Sequence, residues 1–262
     1  MLRAGPHSST PRIEAPVCKP DGDHLVNDGF WWNATWHHLQ CRVRRWDDAK
    51  AVKDCLRHKR LIMHGDSNIR IWYCLLTRRL GYPWQHLGNG KYMFVMRDYY
   101  ADSDIEMSFN FHPWVVTTAR VAPAQTPYEV DMLDGIQTGD CARTVVVLCP
   151  WGHFTQWTRA SYAERTHLLR DAVLRLKARC PDLPVVVKGA HAREHVSAVH
   201  NVFASDYTIW AWGKDLKEAF RGTGVLFYDV WQMNLAYGQP KMHMAFEVID
   251  EEINWFLSNI CH

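Results

Sequence analysis

The stretch whose reading decides the fold is LIMHGDSNIRIW, residues 61–72. An apolar run enters Gly65-Asp66-Ser67, after which Ile69, Trp72, Leu76 and Leu80 recur at helical spacing, so a strand ends and a helix begins at the serine. A turn of this kind sets the hydroxyl at a helix N-terminus, where backbone N–H groups favour a developing negative charge. Asp and Ser are also common helix caps. The segment alone leaves both roles open, nucleophile and cap.

Outward from this turn, further strands are expected at 143–149, 184–188 and 225–229, with 60–65 as the first. None alternates polar with apolar residues, which is the pattern of strands covered on both faces. Between the second and third lies a predicted helix, 159–179. Leu169, Ala172, Val173 and Leu176 form its inner face, and Cys180-Pro181 stops it. Helices are also predicted near 206–220 and at 246–258, and shorter strands at 92–96 and 104–111. Strand and helix in alternation give an α/β fold with a parallel sheet. In such sheets functional groups collect at the carboxyl ends of strands, which here carry Ser67, His153 and Asp229. Residues 18–58, with Trp31, Trp32, Trp36 and Trp46, read as an irregular aromatic collar. Residues 1–17 read as a flexible lead-in to one domain spanning 18–262.

The formal net charge of the 262 residues is +2, too mild to imply nucleic acid as a partner. The cluster Arg42, Arg44, Arg45, Arg57, His58, Lys59 and Arg60 reads as a solvated basic face. Apolar runs such as Val145–Cys149 fall far below the roughly 18 residues of a membrane span, so none is expected. The start, MLRAGPHSSTPRIEAP, lacks the apolar centre of a signal peptide.

Eight cysteines show no CxxC pair and no zinc spacing. Cys18, Cys41, Cys55 and Cys261 lie in loop-like or terminal segments and are expected to be disulfide-bonded among themselves, in any of three connectivities. Cys74 and Cys149 sit in apolar patterns as buried thiols. The sequon Asn33-Ala34-Thr35 agrees with an oxidising compartment, the Golgi lumen or outside the cell. His191-Ala192-Arg193-Glu194-His195 spells the H-x-x-E-H zinc motif, which needs both histidines on one helix face, and a helix can start there after the strand. Fifteen histidines make coincidence easy, and no metal is assigned.

Gly65-Asp66-Ser67 with Arg70 and Trp72 resembles the GDSxxRxW motif of the PC-esterase group of SGNH/GDSL hydrolases. GFWWNATW, VVVLCPWGHF, VLFYDVWQMNLAYGQPKMH and INWFLSNIC then follow in order, and from about residue 18 onward the chain resembles the carboxyl-terminal half of the neurexophilin and PC-esterase domain family, NXPE. The amino-terminal half of that family has no counterpart here.

The resemblance implies an SGNH-hydrolase-like three-layer sandwich with a central parallel sheet. It also implies acyl-ester chemistry on a glycan or sialylated glycoprotein, with no bound cofactor and acetyl-CoA as a candidate acyl donor. Ser67 falls on the nucleophile and His243 on its base; Gly65, Asp66 and Arg70 accompany the serine around the oxyanion and substrate. CPWGHF departs from the family's Gly-Gln-His-Phe-like run, only Gly152, His153 and Phe154 being comparable, with His153 a candidate to line the acceptor site beside Gly152 or else a structural hydrogen-bonder. In the family the histidine belongs to a DxxH motif, but this chain reads Pro240-Lys241-Met242-His243, so a proline stands where the orienting aspartate should be. Asp229 is the alternative acid, or else a structural residue. Two functions follow: an O-acyltransferase or O-acetylesterase working through acyl-Ser67, and a non-catalytic binding module that keeps the fold.

Overall fold

In this computed structural model the described residues are 16–18, 28–83, 94–113, 126–195, 197–239 and 241–261. The aromatic segment expected to be an irregular collar forms a hairpin of β1 (Gly29–Trp32) and β2 (Thr35–His38). Asn33 and Ala34 turn it with φ of 47° and 58°, the left-handed pair that suits the twist of a two-residue hairpin. Helix α1 (Ala49–Leu56) follows, its first N–H groups capped by the Asp48 carboxylate.

The remaining elements are β3 (Arg60–Gly65), α2 (Ser67–Arg79), β4 (Val95–Tyr100), β5 (Ile105–Phe111), α3 (Glu129–Asp134), β6 (Thr144–Leu148), α4 (Arg159–Arg179), β7 (Val185–Lys188), α5 (Ala198–Phe203), α6 (Asp206–Ala219), β8 (Leu226–Tyr228), α7 (Trp231–Tyr237) and α8 (Phe246–Ile260). Six strands form one sheet in the order β4-β5-β3-β6-β7-β8, parallel except for β4 at the edge. Leu61, Met63, Val145 to Leu148, Val186 and Val187 are buried in it, because helices cover both faces of its central strands. Helix α2 packs with α8, and α4 packs with α3 and α6. This is the α/β sandwich that the resemblance implies.

Under α2 lies a buried polar contact. Trp72 Nε1 donates to Glu252 Oε2 at 2.7 Å, and the Lys188 ammonium is 3.4 Å from Glu252 Oε1. Disulfides join Cys18 to Cys41, Cys55 to Cys261 and Cys141 to Cys180, with Cα separations of 4.8, 5.4 and 5.4 Å. The third pair was not foreseen: Cys141 and Cys180 look like ordinary loop and helix-end residues until the sheet brings the starts of β6 and β7 side by side. Cys74 and Cys149 are buried thiols outside any disulfide.

Val17 bridges to Arg42, so Pro16 and Val17 belong to the folded body rather than to a lead-in, whose residues 1–15 lie outside those described. The strand expected at 92–96 begins instead at Val95, residues 92 and 93 lying outside the described set. Among the described residues no helix is long and apolar enough to cross a membrane.

Candidate active site

Ser67 is the first residue of α2, and Asp66 is that helix's N-cap, its Oδ1 accepting the Asn68 N–H at 2.8 Å. Two glycines allow the chain to close on this carboxylate. A Cβ on Gly65 would lie 2.8 Å from Cys149 Cβ, and one on Gly152, past the end of β6, would fall well inside 3.0 Å of Asp66 Oδ2. Burial opposes ionisation of Asp66, yet His153, His112 and the Asn68 N–H hold its carboxyl below the usual carboxylate range.

Ser67 Oγ lies 2.7 Å from His243 Nε2 across 176 residues of sequence. His243 stands at the rim of the site, between α7 and α8. Desolvation pushes its pKa below 6.5, and Arg70 and Arg193 push in the same direction while Asp66 and Glu194 resist. The ring is therefore neutral at pH 7, and Nε2 offers a lone pair to the serine O–H once the ring proton is on Nδ1.

What holds His243 is the segment that spelled a zinc motif. His191 Nε2–H donates to the Met242 carbonyl at 3.2 Å, and the Met242 N–H reaches Glu194 Oε1 at 3.5 Å, so residues 191–194 grip both peptide groups of the neighbouring residue. His191 is buried, and that burial, with Lys188 nearby, pushes its pKa down to about 3. Residues 191–195 are not helical, α5 beginning only at Ala198, and His195 faces Asp206 at 3.5 Å instead. The shared helix face that H-x-x-E-H requires is absent here. Glu194 and His191 were thus visible in the sequence as a motif, but as the wrong one.

His153 stacks on Phe111 with centroids 5.2 Å apart and has the His112 ring 5.8 Å away; burial above all pushes its pKa down to about 4. The Arg70 guanidinium lies 6.0 Å from the centre of the same Phe111 ring. Asp229 points elsewhere. Its Oδ2 accepts from Lys217 Nζ at 2.9 Å, an ion pair, and its Oδ1 accepts the Trp231 N–H, the first of α7, at 3.2 Å. Those contacts give Asp229 the structural role weighed beside that of orienting acid, and no hydrogen bond joins it to His243 among the described residues. Pro240 lies outside the described residues. Asn33 is exposed at the hairpin tip.

A serine on a strand-to-helix turn, paired with a histidine from the last loop above a mostly parallel sheet, places the chain among α/β proteins of esterase-like fold. Residues 36–261 match the family model described as NXPE family member 4-like, C-terminal domain, and the chain belongs to that family. Among solved structures it is similar to a putative GDSL-like lipase from Parabacteroides merdae, at 10% identity and a TM-score of 0.44 over 78% of this chain and 97% of that one. It is also similar to an extracellular lipase from Streptomyces rimosus, at 15% identity and a TM-score of 0.30 over 76% and 97% of the two chains.

Proposed function

We propose that the protein is a carbohydrate O-acyltransferase or O-acetylesterase acting through an acyl-Ser67 intermediate. The observation that carries this reading is the 2.7 Å contact between Ser67 Oγ and His243 Nε2 at the amino end of α2. In the first half-reaction Ser67 Oγ attacks the acyl carbonyl as its proton passes to Nε2. The oxygen that becomes negative faces the N-terminus of α2, where the Ser67 N–H has no intrahelical partner. Collapse of the tetrahedral species expels the leaving group, which takes the proton back from His243. An incoming sugar hydroxyl or water, deprotonated by the same nitrogen, then releases the acyl group.

The reading extends to an acetyl donor such as acetyl-CoA, to a glycan or sialylated glycoprotein as acceptor beside Arg70, Gly152 and His153, and to a secreted or Golgi-lumenal setting with Asn33 glycosylated. Support for the setting comes from the exposed sequon and the three disulfides. The second reading, a binding module, is favoured by Pro240, since losing the acid of a serine triad lowers turnover about ten-thousand-fold.

A serine-directed fluorophosphonate separates the two. The expected result is one adduct per chain, located on Ser67 by peptide mass spectrometry and absent from Ser67→Ala at an unchanged melting temperature. A folded wild-type protein that takes up no label supports the binding module instead.

A further inference from the structure

Behind the strand that delivers Ser67, three side chains from separate elements converge without contact with Ser67 or His243. His64 lies on β3, His112 just past β5 and Glu129 at the start of α3, with side chains 0%, 1% and 4% exposed. One potential ligand atom from each lies within 4.8 Å of the other two. The hydrogen bonds fix which atoms these are. His64 Nε2 is 2.9 Å from the Pro127 carbonyl, which only accepts, so Nε2 carries the proton and Nδ1 of the neutral ring is a bare lone pair. That lone pair has no hydrogen-bond partner among the described residues. It faces Glu129 Oε1 at 3.7 Å, and the carboxylate of Glu129 is paired with the Arg165 guanidinium. Two electron-rich atoms thus confront each other in a site shut off from water.

His112 Nδ1 completes the group at 2.9 Å from the same Oε1. Four-coordinate zinc with bonds of about 2.0–2.1 Å separates its ligand atoms by about 3.3 Å, and the 3.7 and 2.9 Å seen here bracket that value. The His64–Pro127 bond is also the kind of outer contact that orients a metal-bound imidazole. Arg165 pairs with Glu129 Oε2, which fixes the carboxylate and leaves Oε1 to the two rings.

We propose that His64 Nδ1, His112 Nδ1 and Glu129 Oε1 form a buried site for one divalent cation of the zinc class. Two imidazoles and a carboxylate are a donor set that suits zinc. On binding, the His112 proton moves from Nδ1 to Nε2, which has no hydrogen-bond partner among the described residues. The cation's role is structural: it ties the end of β3, the end of β5 and the start of α3 together one turn ahead of Ser67. The Arg165 charge beside Glu129 weakens the site, so micromolar rather than nanomolar affinity is expected. The signal is absent from sequence spacing because the ligands stand 48 and 17 residues apart, brought together only by the β3–β5 register.

The test is metal uptake by the whole chain. Protein stripped with a chelator is equilibrated with Zn²⁺, gel-filtered and analysed for metal, and the same protein is titrated with Co²⁺ while its visible absorption is recorded. The expected outcome is one equivalent of zinc per chain and a tetrahedral cobalt spectrum. Both should be lost in folded His112→Gln and kept in His195→Ala, which removes a histidine of the H-x-x-E-H segment. No uptake by wild-type protein, or uptake that His112→Gln leaves unchanged, overturns the proposal. Should His112→Gln fail to fold, X-ray absorption at the zinc edge of the wild-type protein decides. Two imidazole nitrogens and one carboxylate oxygen support the site, and any sulfur ligand overturns it.

Discussion

Gly152→Ala is the substitution that most directly tests how the serine is presented. The added methyl would fall well inside 3.0 Å of Asp66 Oδ2, and Asp66 has little room to retreat, being 1% exposed and bound through Oδ1 to the Asn68 N–H. If the carboxylate stays, the methyl forces the two strand ends apart, at about 1–3 kcal/mol for overpacking. If it turns away, α2 loses its cap, at about 0.5–2 kcal/mol. The cheaper response sets the outcome, so we expect a net loss of roughly 1–2 kcal/mol, read from the urea midpoint at constant slope. Gly139→Ala is the control, since nothing lies within 4 Å of a Cβ there; it should fall within about 0.5 kcal/mol of wild type. Shortening the partner should relieve the clash, so Asp66→Ser with Gly152→Ala should cost less than the sum of the two single changes. Fluorophosphonate labelling of Ser67 should slow in Gly152→Ala and recover in part in the double variant. Equal stability of Gly152→Ala and Gly139→Ala, with labelling unchanged, would refute the idea that these strand ends lock the nucleophile through Asp66.

Three further outcomes are expected. Glu194 opposes the drop in His243 pKa, so Glu194→Gln should move the acid limb of Ser67-dependent acetyl-ester hydrolysis to lower pH and reduce the plateau rate about three- to tenfold; Pro240→Asp should instead raise the plateau about tenfold to a thousandfold. A pH–rate profile for each variant checks both. His38 and His191 are buried with pKa values pushed down to about 4 and about 3, so as pH falls below 6.5 the unfolded chain takes up protons that the folded one refuses. Stability should drop by about 2 kcal/mol for each by pH 5, measured by urea unfolding, and His38→Phe should remove about 2 kcal/mol of the total drop, to which buried His153 also contributes. Non-reducing peptide maps should show Cys18–Cys41, Cys55–Cys261 and Cys141–Cys180, with Cys74 and Cys149 alkylated only after denaturation.

The sheet was legible where burial leaves a mark on composition. Runs such as Thr144–Leu148 and Val185–Lys188 are apolar because both their faces are covered, and α4 carries its inner stripe openly. Short elements carry no such mark: α3 is six residues long and α7 seven, too few for a period to declare itself. The hairpin of β1 and β2 was hidden by its turn, because Asn33-Ala34 lacks the glycine that usually announces one. For the site, Ser67 and His243 were readable through the family motif, and their 2.7 Å separation follows from a loop whose conformation no local pattern dictates. Asp229 looked available as an acid because its place at a strand end is visible in sequence, whereas its partner Lys217 is visible only in space.

The Cys55–Cys261 bond joins residues 206 positions apart, and this has a mechanical consequence. Tension applied between Val17 and Cys261 travels through the Cys18–Cys41 link and residues 41–55, then crosses the second disulfide directly to the last cysteine. Residues 56–260, with the whole six-stranded sheet, Ser67 and His243, lie off that load path. While both bonds are intact, pulling on the chain in this direction stretches residues 41–55, with most of α1, but leaves the hairpin and the spacing between serine and histidine slack. Reduction puts the sheet itself under load.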